Sequence, residues 1–244
     1  MLRPRYIPPE DIFPASPWAF EAVRYDAKLA TQLVGQAETI FALSNGYLGL
    51  RGVVEEGTPL KEPGVFLNGF YEHRPISYGE HAYGFPLVGQ SLLNCPDGVA
   101  LKLYVDDEPF VVPTAEVLSY RRTLNLKAGT LDRDVRWATP AGKRLRLRTM
   151  RLVSFAHRHL AAIEYELTSE DAAVEIVISS ELENRQPLAA DSSDPRLAEG
   201  FGGRVLHPTG GQSGGLRAIL SYRTQSSGLA LGCGIDHAVA TAGS

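Results

Sequence analysis

The chain has 244 residues and a formal net charge of −4, which is long enough for a substantial core in one large β domain or two small ones. Its weak acidic balance gives no reason to expect a nucleic-acid or anionic-membrane partner. Two cysteines, Cys95 and Cys233, make neither a metal pattern nor a disulfide framework. Residues 1–10 lack the apolar core of a signal peptide, and no run reaches membrane-spanning length. The sequence therefore reads as soluble and cytoplasmic.

Residues 1–17 are proline-rich and read as an extended lead-in, with residues 18–244 as a single domain. Residues 18–25 alternate well enough for a first strand. Residues 29–43 carry apolar side chains at mixed spacing, and a short helix or turn fits near 37–43. Next comes Phe41-Ala-Leu-Ser-Asn-Gly-Tyr-Leu-Gly-Leu-Arg-Gly52, where Gly46, Gly49 and Gly52 recur at every third position. Glycine at such spots marks positive φ or close backbone approach. Asn45-Gly46 reads as a tight turn into a strand. Arg51 is placed to tie several backbone carbonyls together.

Residues 65–71 form a strand with a glycine in its middle. Residues 72–89 follow as a long loop dense in polar and aromatic groups: Glu72, His73, Tyr78, Glu80, His81, Tyr83 and Phe85. Long structureless loops in compact domains are often functional. Regular strands resume at 99–105, turn through Asp106-Asp107-Glu108-Pro109 into 110–112, and continue at 119–126. Over 130–139, Leu131, Val135 and Trp137 share one face, with Asp132, Asp134 and Arg136 opposite. Pro140-Ala-Gly142 is the hairpin turn. Over 144–155, Leu145 and Leu147 fall in one phase and Met150 and Leu152 in the other, which predicts a β-bulge near Thr149. The arginines between 144 and 158 read as a solvated strand face. Strands at 160–168 and 173–183 follow. Residues 184–215 read as a polar, glycine-rich excursion, and 216–222 with 228–240 as a closing strand pair. Short strands and tight turns with little helix predict an all-β fold, one large antiparallel β-sandwich.

Candidate chemistry is sparse. Glu80 stands beside His81, and both groups can titrate near neutrality, but adjacent loop residues often point apart, so a structural role carries more weight. Glu181 and Glu183, two apart on an expected strand, read as its solvent face, as do Asp132 and Asp134. His157 and His159 share an expected strand face without a third ligand, so no metal is expected. Tyr71, Tyr78, Tyr83 and Phe85 can stack on a sugar ring or seal an interface with another domain. Taken alone, the residues yield a β-sandwich with one conspicuous aromatic loop and no convincing catalytic set.

Several stretches add a resemblance. The segment from Phe41 to Gly52, Glu55-Glu56-Gly57, Pro63-Gly-Val-Phe-Leu-Asn-Gly-Phe-Tyr-Glu72, Asn94-Cys-Pro-Asp97, Tyr120-Arg-Arg-Thr-Leu-Asn-Leu126 and Leu131-Asp-Arg133 resemble, in order, the start of glycoside hydrolase family 65. That family includes maltose, trehalose and kojibiose phosphorylases and related hydrolases. The resemblance implies an N-terminal super-sandwich of the galactose mutarotase kind, preceding an (α/α)6 barrel that carries the general acid and the phosphate site. Nothing in this sequence matches the barrel, so no catalytic residue carries over. It further implies inverting phosphorolysis or hydrolysis of an α-glucosidic bond by the parent enzyme, with no metal or organic cofactor. The implied partners are the barrel, the α-linked disaccharide and phosphate bound through it, and a second copy in a homodimer. The expected role of Tyr78, Glu80, His81, Tyr83 and Phe85 is an acceptor-side or interdomain loop. Asn45, Gly46, Gly49, Arg51 and Gly52 are expected to be a structural motif. The competing readings are a free-standing carbohydrate-binding sandwich and a self-sufficient enzyme using Glu80 and His81.

Overall fold

The computed structural model describes residues 10, 13–25, 27–57, 64–76, 78, 80, 82–184 and 204–241. Most of the expected lead-in, His81 and much of the expected excursion over 184–215 lie outside the described residues. In chain order the elements are β1 (Ala15–Ser16), β2 (Ala19–Ala22), α1 (Ala27–Ile40), β3 (Leu43–Ser44), β4 (Leu48–Leu50), β5 (Val65–Pro75), β6 (Val88–Asn94), β7 (Leu101–Val105), β8 (Glu108–Pro109), β9 (Glu116–Asn125), β10 (Thr130–Ala138), β11 (Arg144–Val153), β12 (Ala161–Ser169), β13 (Ile176–Ser180), β14 (Leu206–Gly214), β15 (Arg217–Thr224) and β16 (Ala230–Asp236). The fold is all-β and antiparallel. No helix among the described residues is long and apolar enough to cross a membrane.

Packing divides the chain into two compact units, Met1–Lys61 with Val99–Ser180 and Glu62–Gly98 with Glu181–Ser244. In the first unit a six-stranded sheet, in the order β1-β2-β9-β10-β11-β12, accompanies a three-stranded sheet β13-β7-β8. One apolar cluster joins them: Leu103 and Val105 from β7 meet Val135 and Trp137 from β10 and Leu145 and Leu147 from β11, with Phe110 and Val112 alongside. Two antiparallel sheets burying one face each against a shared core is sandwich packing. Asp106 and Asp107 take φ of 49° and 64°, the left-handed pair that a two-residue hairpin turn between β7 and β8 requires. Phe110 and Val112, expected on a strand, lie beyond β8 with buried side chains, and the Phe110 N–H still donates to the Leu103 carbonyl of β7 at 2.8 Å.

The expected bulge near Thr149 does not occur. β11 pairs with β10 without interruption, from Arg144 opposite Ala138 to Leu152 opposite Thr130. Its buried set runs Leu145, Leu147, Thr149, Arg151, Val153. The apparent change of phase arises because two inward positions hold polar residues while Met150 and Leu152 face outward. Arg151 is therefore not on a solvated face, as the sequence reading had the arginines of this region. The register irregularity falls instead in the β9–β10 pair, between Arg136 and Trp137.

Other boundaries shift for similar reasons. Helix α1 is longer than the short turn expected, because Gly35 and the threonines of that stretch mask its apolar period. His157 and His159 lie in the β11–β12 turn rather than on a strand face, and Glu181 and Glu183 follow the end of β13.

In the second unit, β5 pairs with β6, and β14-β15-β16 form a sheet. Phe70, Leu93, Cys95, Leu206, Tyr222 and Leu231 close the core. The expected loop over 72–89 is shortened at both ends by strand pairing: Glu72 pairs with Ser91, His73 with Gln90 and Pro75 with Val88. The connecting loop spans only 76–87, closed by the Ile76 N–H donating to the Leu87 carbonyl at 2.9 Å. Polar residues at Glu72–Arg74 disguised the strand. Gly210 and Gly211, expected in an excursion, belong to β14 and pair with Ser221 and Leu220.

Leu147 is fully buried between the sheets of the first unit. Leu147→Ala is expected to lower unfolding stability by about 2–5 kcal/mol in a urea titration, whereas the outward Leu152→Ala shifts it by less than about 1 kcal/mol.

Candidate functional site

The segment from Phe41 to Gly52 forms a hairpin corner. β3 and β4 pair through Leu43 with Leu50 and Ser44 with Gly49. Asn45 builds the turn: its Oδ1 accepts from the Tyr47 and Leu48 N–H groups at 2.9 and 2.8 Å. Its Nδ2 donates to the carbonyls of Ser154 and Arg158 at 2.6 and 3.0 Å, clamping the β11–β12 turn onto the corner. Gly46 takes φ of 86°, which a residue with a Cβ adopts at a cost. Gly52 is fixed by proximity: its N–H donates to the Glu38 carbonyl at 2.6 Å, and a Cβ there would stand 2.6 Å from the Phe41 Cβ. Gly49 meets no such constraint, since a Cβ would lie 3.8 Å from Ser44. Arg51 reaches back to α1, its Nη2 within 3.3 Å of the Gly35 carbonyl, Glu38 Oε2 and Thr39 Oγ1.

The carbonyl-tying role expected of Arg51 is performed by two other arginines on the carbonyls around it. Arg151 donates to the Arg51 and Val53 carbonyls at 3.2 and 2.9 Å, and Arg122 donates to the Gly52 carbonyl at 2.8 Å. Arg122 also lies over the Phe41 ring, 4.8 Å from its centroid. Beyond these carbonyls the chain delivers Glu55 and Glu56 into the same interior. Arg151 pairs with Glu55 at 2.5 Å, and Arg133 contacts Glu55 at 2.9 Å and holds both oxygens of Glu56 at 2.7 Å. The Tyr165 hydroxyl donates to Glu56 at 2.8 Å. All five charged side chains are buried.

Burial opposes the charge on Glu55, but Arg151, Arg133 and Arg122 more than offset it and hold its pKa at about 2. Burial likewise pushes the Tyr165 phenol up, and the neighbouring Glu56 adds to the shift. A carboxyl ionised far below neutrality has no proton to donate at neutral pH, so Glu55 does not have the property of a general acid. The arrangement is a charge-paired framework. Sequence reading missed it as a unit, although a signal was present. Arg133 stands in register with Leu131 and Val135, Arg122 with Tyr120 and Leu124, and Arg151 with Val153. A charged residue at an inward position of an alternating strand marks a buried partner.

The second unit holds the aromatic loop. Tyr78 and Phe85 rings lie 4.8 Å apart, while Tyr83 is fully exposed, and Phe85, Leu87 and Val88 are also exposed. Glu80 is exposed, and the pairing with His81 falls outside the described residues. Beside this loop, buried Glu72 accepts from the N–H groups of His73, Ser226 and Ser227 at 2.7, 2.8 and 2.7 Å. Burial opposes its charge, but these backbone donors lower its pKa. Glu72 therefore staples β5 to the β15–β16 turn rather than facing a ligand.

Residues 26–244 match the model of the glycosyl hydrolase family 65 N-terminal domain. The chain belongs to this family. An uncharacterized glycosyl hydrolase of Mycobacterium tuberculosis is 41% identical over 234 residues, covering 96% of this chain and 29% of that protein. An alpha,alpha-trehalose phosphorylase of Thermoanaerobacter brockii is 37% identical over 204 residues, covering 82% of this chain and 26% of that protein. A solved structure, "Putative kojibiose phosphorylase from human microbiome", shares the fold with a TM-score of 0.68 at 17% identity, over 87% of this chain and 26% of that one. This family 65 N-terminal domain thus spans less than a third of the length of these relatives. Three of the stretches that carry the resemblance in the sequence supply part of the buried framework: Glu55 and Glu56, Arg122, and Arg133.

Two consequences follow for stability. Gly52→Ala is expected to cost about 1–3 kcal/mol, read from urea unfolding, because Phe41 and its carbonyl cannot both retreat; Gly49→Ala at an uncrowded site leaves the midpoint nearly unchanged. The depressed pKa of Glu55 means that its contribution is complete above the ordinary glutamate value of ~4.3 and is lost as pH falls toward about 2. Glu55→Gln is expected to lower stability at pH 7 by about 3–5 kcal/mol and to flatten the loss of stability between pH 4 and pH 2.

Proposed function

We propose that this chain is the non-catalytic N-terminal β-domain of an α-glucoside phosphorylase or hydrolase. In this reading it supports an (α/α)6 catalytic barrel of the same polypeptide and helps to shape the entrance to its active site. The parent reaction is inverting phosphorolysis or hydrolysis of an α-glucosidic bond. One protonated carboxyl of the barrel assists the leaving sugar, while phosphate, or water activated by a second carboxylate, attacks the anomeric carbon. The observation that carries the reading is the family match over nearly the whole chain, combined with its small share of relatives named as trehalose and kojibiose phosphorylases. The buried carboxylates Glu55 and Glu56 are fully engaged by guanidiniums, which suits a support and leaves the chemistry to the rest of the polypeptide.

The loop of Tyr78, Glu80, His81, Tyr83 and Phe85 is assigned to the acceptor side of that entrance. Its exposed aromatic rings support this, because aromatic faces pack against sugars and against neighbouring domains alike. The same exposed rings favour a second reading, a free-standing carbohydrate-binding module. Titrating the protein with trehalose, kojibiose and maltose separates the two: the module reading requires saturable binding by the 244-residue chain, whereas the supporting-domain reading requires none. In a full-length enzyme carrying this domain, Tyr78→Ala and Tyr83→Ala are expected to change the kcat/KM ratio between acceptor sugars by roughly tenfold (about 1.4 kcal/mol). Unchanged ratios would remove the loop from the entrance.

A further inference from the structure

A cavity of about 500 Å³ lies within the first unit, bounded by α1, β2, β7, β9 and the segments on either side of them. Its volume is that of a small-molecule site. Phe13, Val34, Phe41, Phe110 and Val112 give it an apolar wall, which suits no free sugar. Its charged groups are Arg24, Glu38, Glu56, Lys102 and Arg122. Of the two carboxylates, Glu38 is engaged by Arg51 and Glu56 by Arg133.

Arg122 is the group left over. The buried framework sets three guanidiniums, Arg122, Arg133 and Arg151, against two carboxylates, Glu55 and Glu56. Arg133 and Arg151 each have a carboxylate in direct contact. Among the described residues the Arg122 guanidinium makes a single hydrogen bond, to the Gly52 carbonyl, although it is 95% buried by its 5% exposure. Burial lowers its pKa to about 10, below the ordinary arginine range. Glu55 lies near enough to favour its charge, but among the described residues no carboxylate touches it; a buried cation without a contacting anion is costly, and an anion in the adjoining cavity relieves that cost.

We propose that this cavity binds a small amphipathic carboxylate, its apolar body among Phe13, Val34, Phe41, Phe110 and Val112 and its carboxylate on the Arg122 guanidinium. The one guanidinium of the framework that no carboxylate touches matches a monoanion, and its planar fork matches a carboxylate. The site does not depend on the sugar chemistry assigned to the rest of the polypeptide.

The test is isothermal titration of the purified protein with octanoate and, as its uncharged counterpart, octanamide. Octanoate is expected to bind at one site, at least tenfold more tightly than octanamide. Arg122→Gln is expected to weaken octanoate at least tenfold while leaving octanamide unchanged. Val34→Trp, which fills the cavity and keeps Arg122, is expected to abolish both. Circular dichroism establishes folding of each variant, and if Arg122→Gln does not fold, Val34→Trp and the octanoate-to-octanamide ratio decide. Absence of saturable octanoate binding, equal affinity for the two probes, or binding undiminished in Val34→Trp would overturn the proposal.

Discussion

Three consecutive carbonyls, those of Arg51, Gly52 and Val53, are received by guanidiniums brought from β9 and β11. That constraint organises the first unit. A buried carbonyl with no strand partner would cost a substantial part of the stability of a domain this size. Here it is satisfied from strands about seventy to a hundred positions later in the chain. The guanidiniums in turn need counter-charges, and Glu55 and Glu56 supply them a few residues further along the same segment. Gly52 completes the arrangement, because only a residue without a side chain leaves Phe41 in place beneath the Arg122 guanidinium. Corner, helix end and the inner face of the six-stranded sheet are thereby locked to one another by buried, mutually bonded groups.

Much of this architecture was legible as pattern. Alternation in β10, the Asn45-Gly46 and Pro140-Ala-Gly142 turns, and the closing β15–β16 pair follow directly from apolar periodicity and turn chemistry. The bulge and the loop boundary failed for one physical cause. Where an inward strand position carries a polar or charged residue, binary patterning breaks. Thr149 and Arg151 imitate a bulge, and Glu72 with its polar neighbours imitates a loop. Satisfied buried charges are invisible to a rule that equates polarity with exposure, because the partner lies far away in sequence. Glycine spacing misled in a milder way: Gly46 and Gly52 each have a backbone reason, while Gly49 has none.

The candidate site divides along the same line. Exposure of Tyr83 and Phe85 was readable from the density of aromatics between turn residues. The framework of Glu55, Glu56, Arg122, Arg133, Arg151 and Tyr165 was not, although four of its members, Glu55, Glu56, Arg122 and Arg133, stood in stretches that carried the resemblance to family 65. In this chain those motif residues build a charge-paired interior. Its carboxylates are engaged by guanidiniums, and Glu55 is ionised well below neutrality.

The central claim is that the Arg151 fork, and not merely its charge, holds the segment from Arg51 to Val53. Native-state hydrogen exchange on the wild type and on Arg151→Lys tests it most directly, because lysine keeps the charge but holds its donors on one nitrogen, whereas Arg151 reaches the Arg51 carbonyl from Nη1 and the Val53 carbonyl and Glu55 from Nη2. The amides to follow are Gly52, bonded to Glu38, and Leu101, bonded to the Glu55 carbonyl. In the wild type both are expected to exchange only through global unfolding, and in Arg151→Lys through a local opening at least a hundredfold more frequent than the opening of the Leu147 amide in the same variant. Equal protection of all three amides in Arg151→Lys would contradict the account.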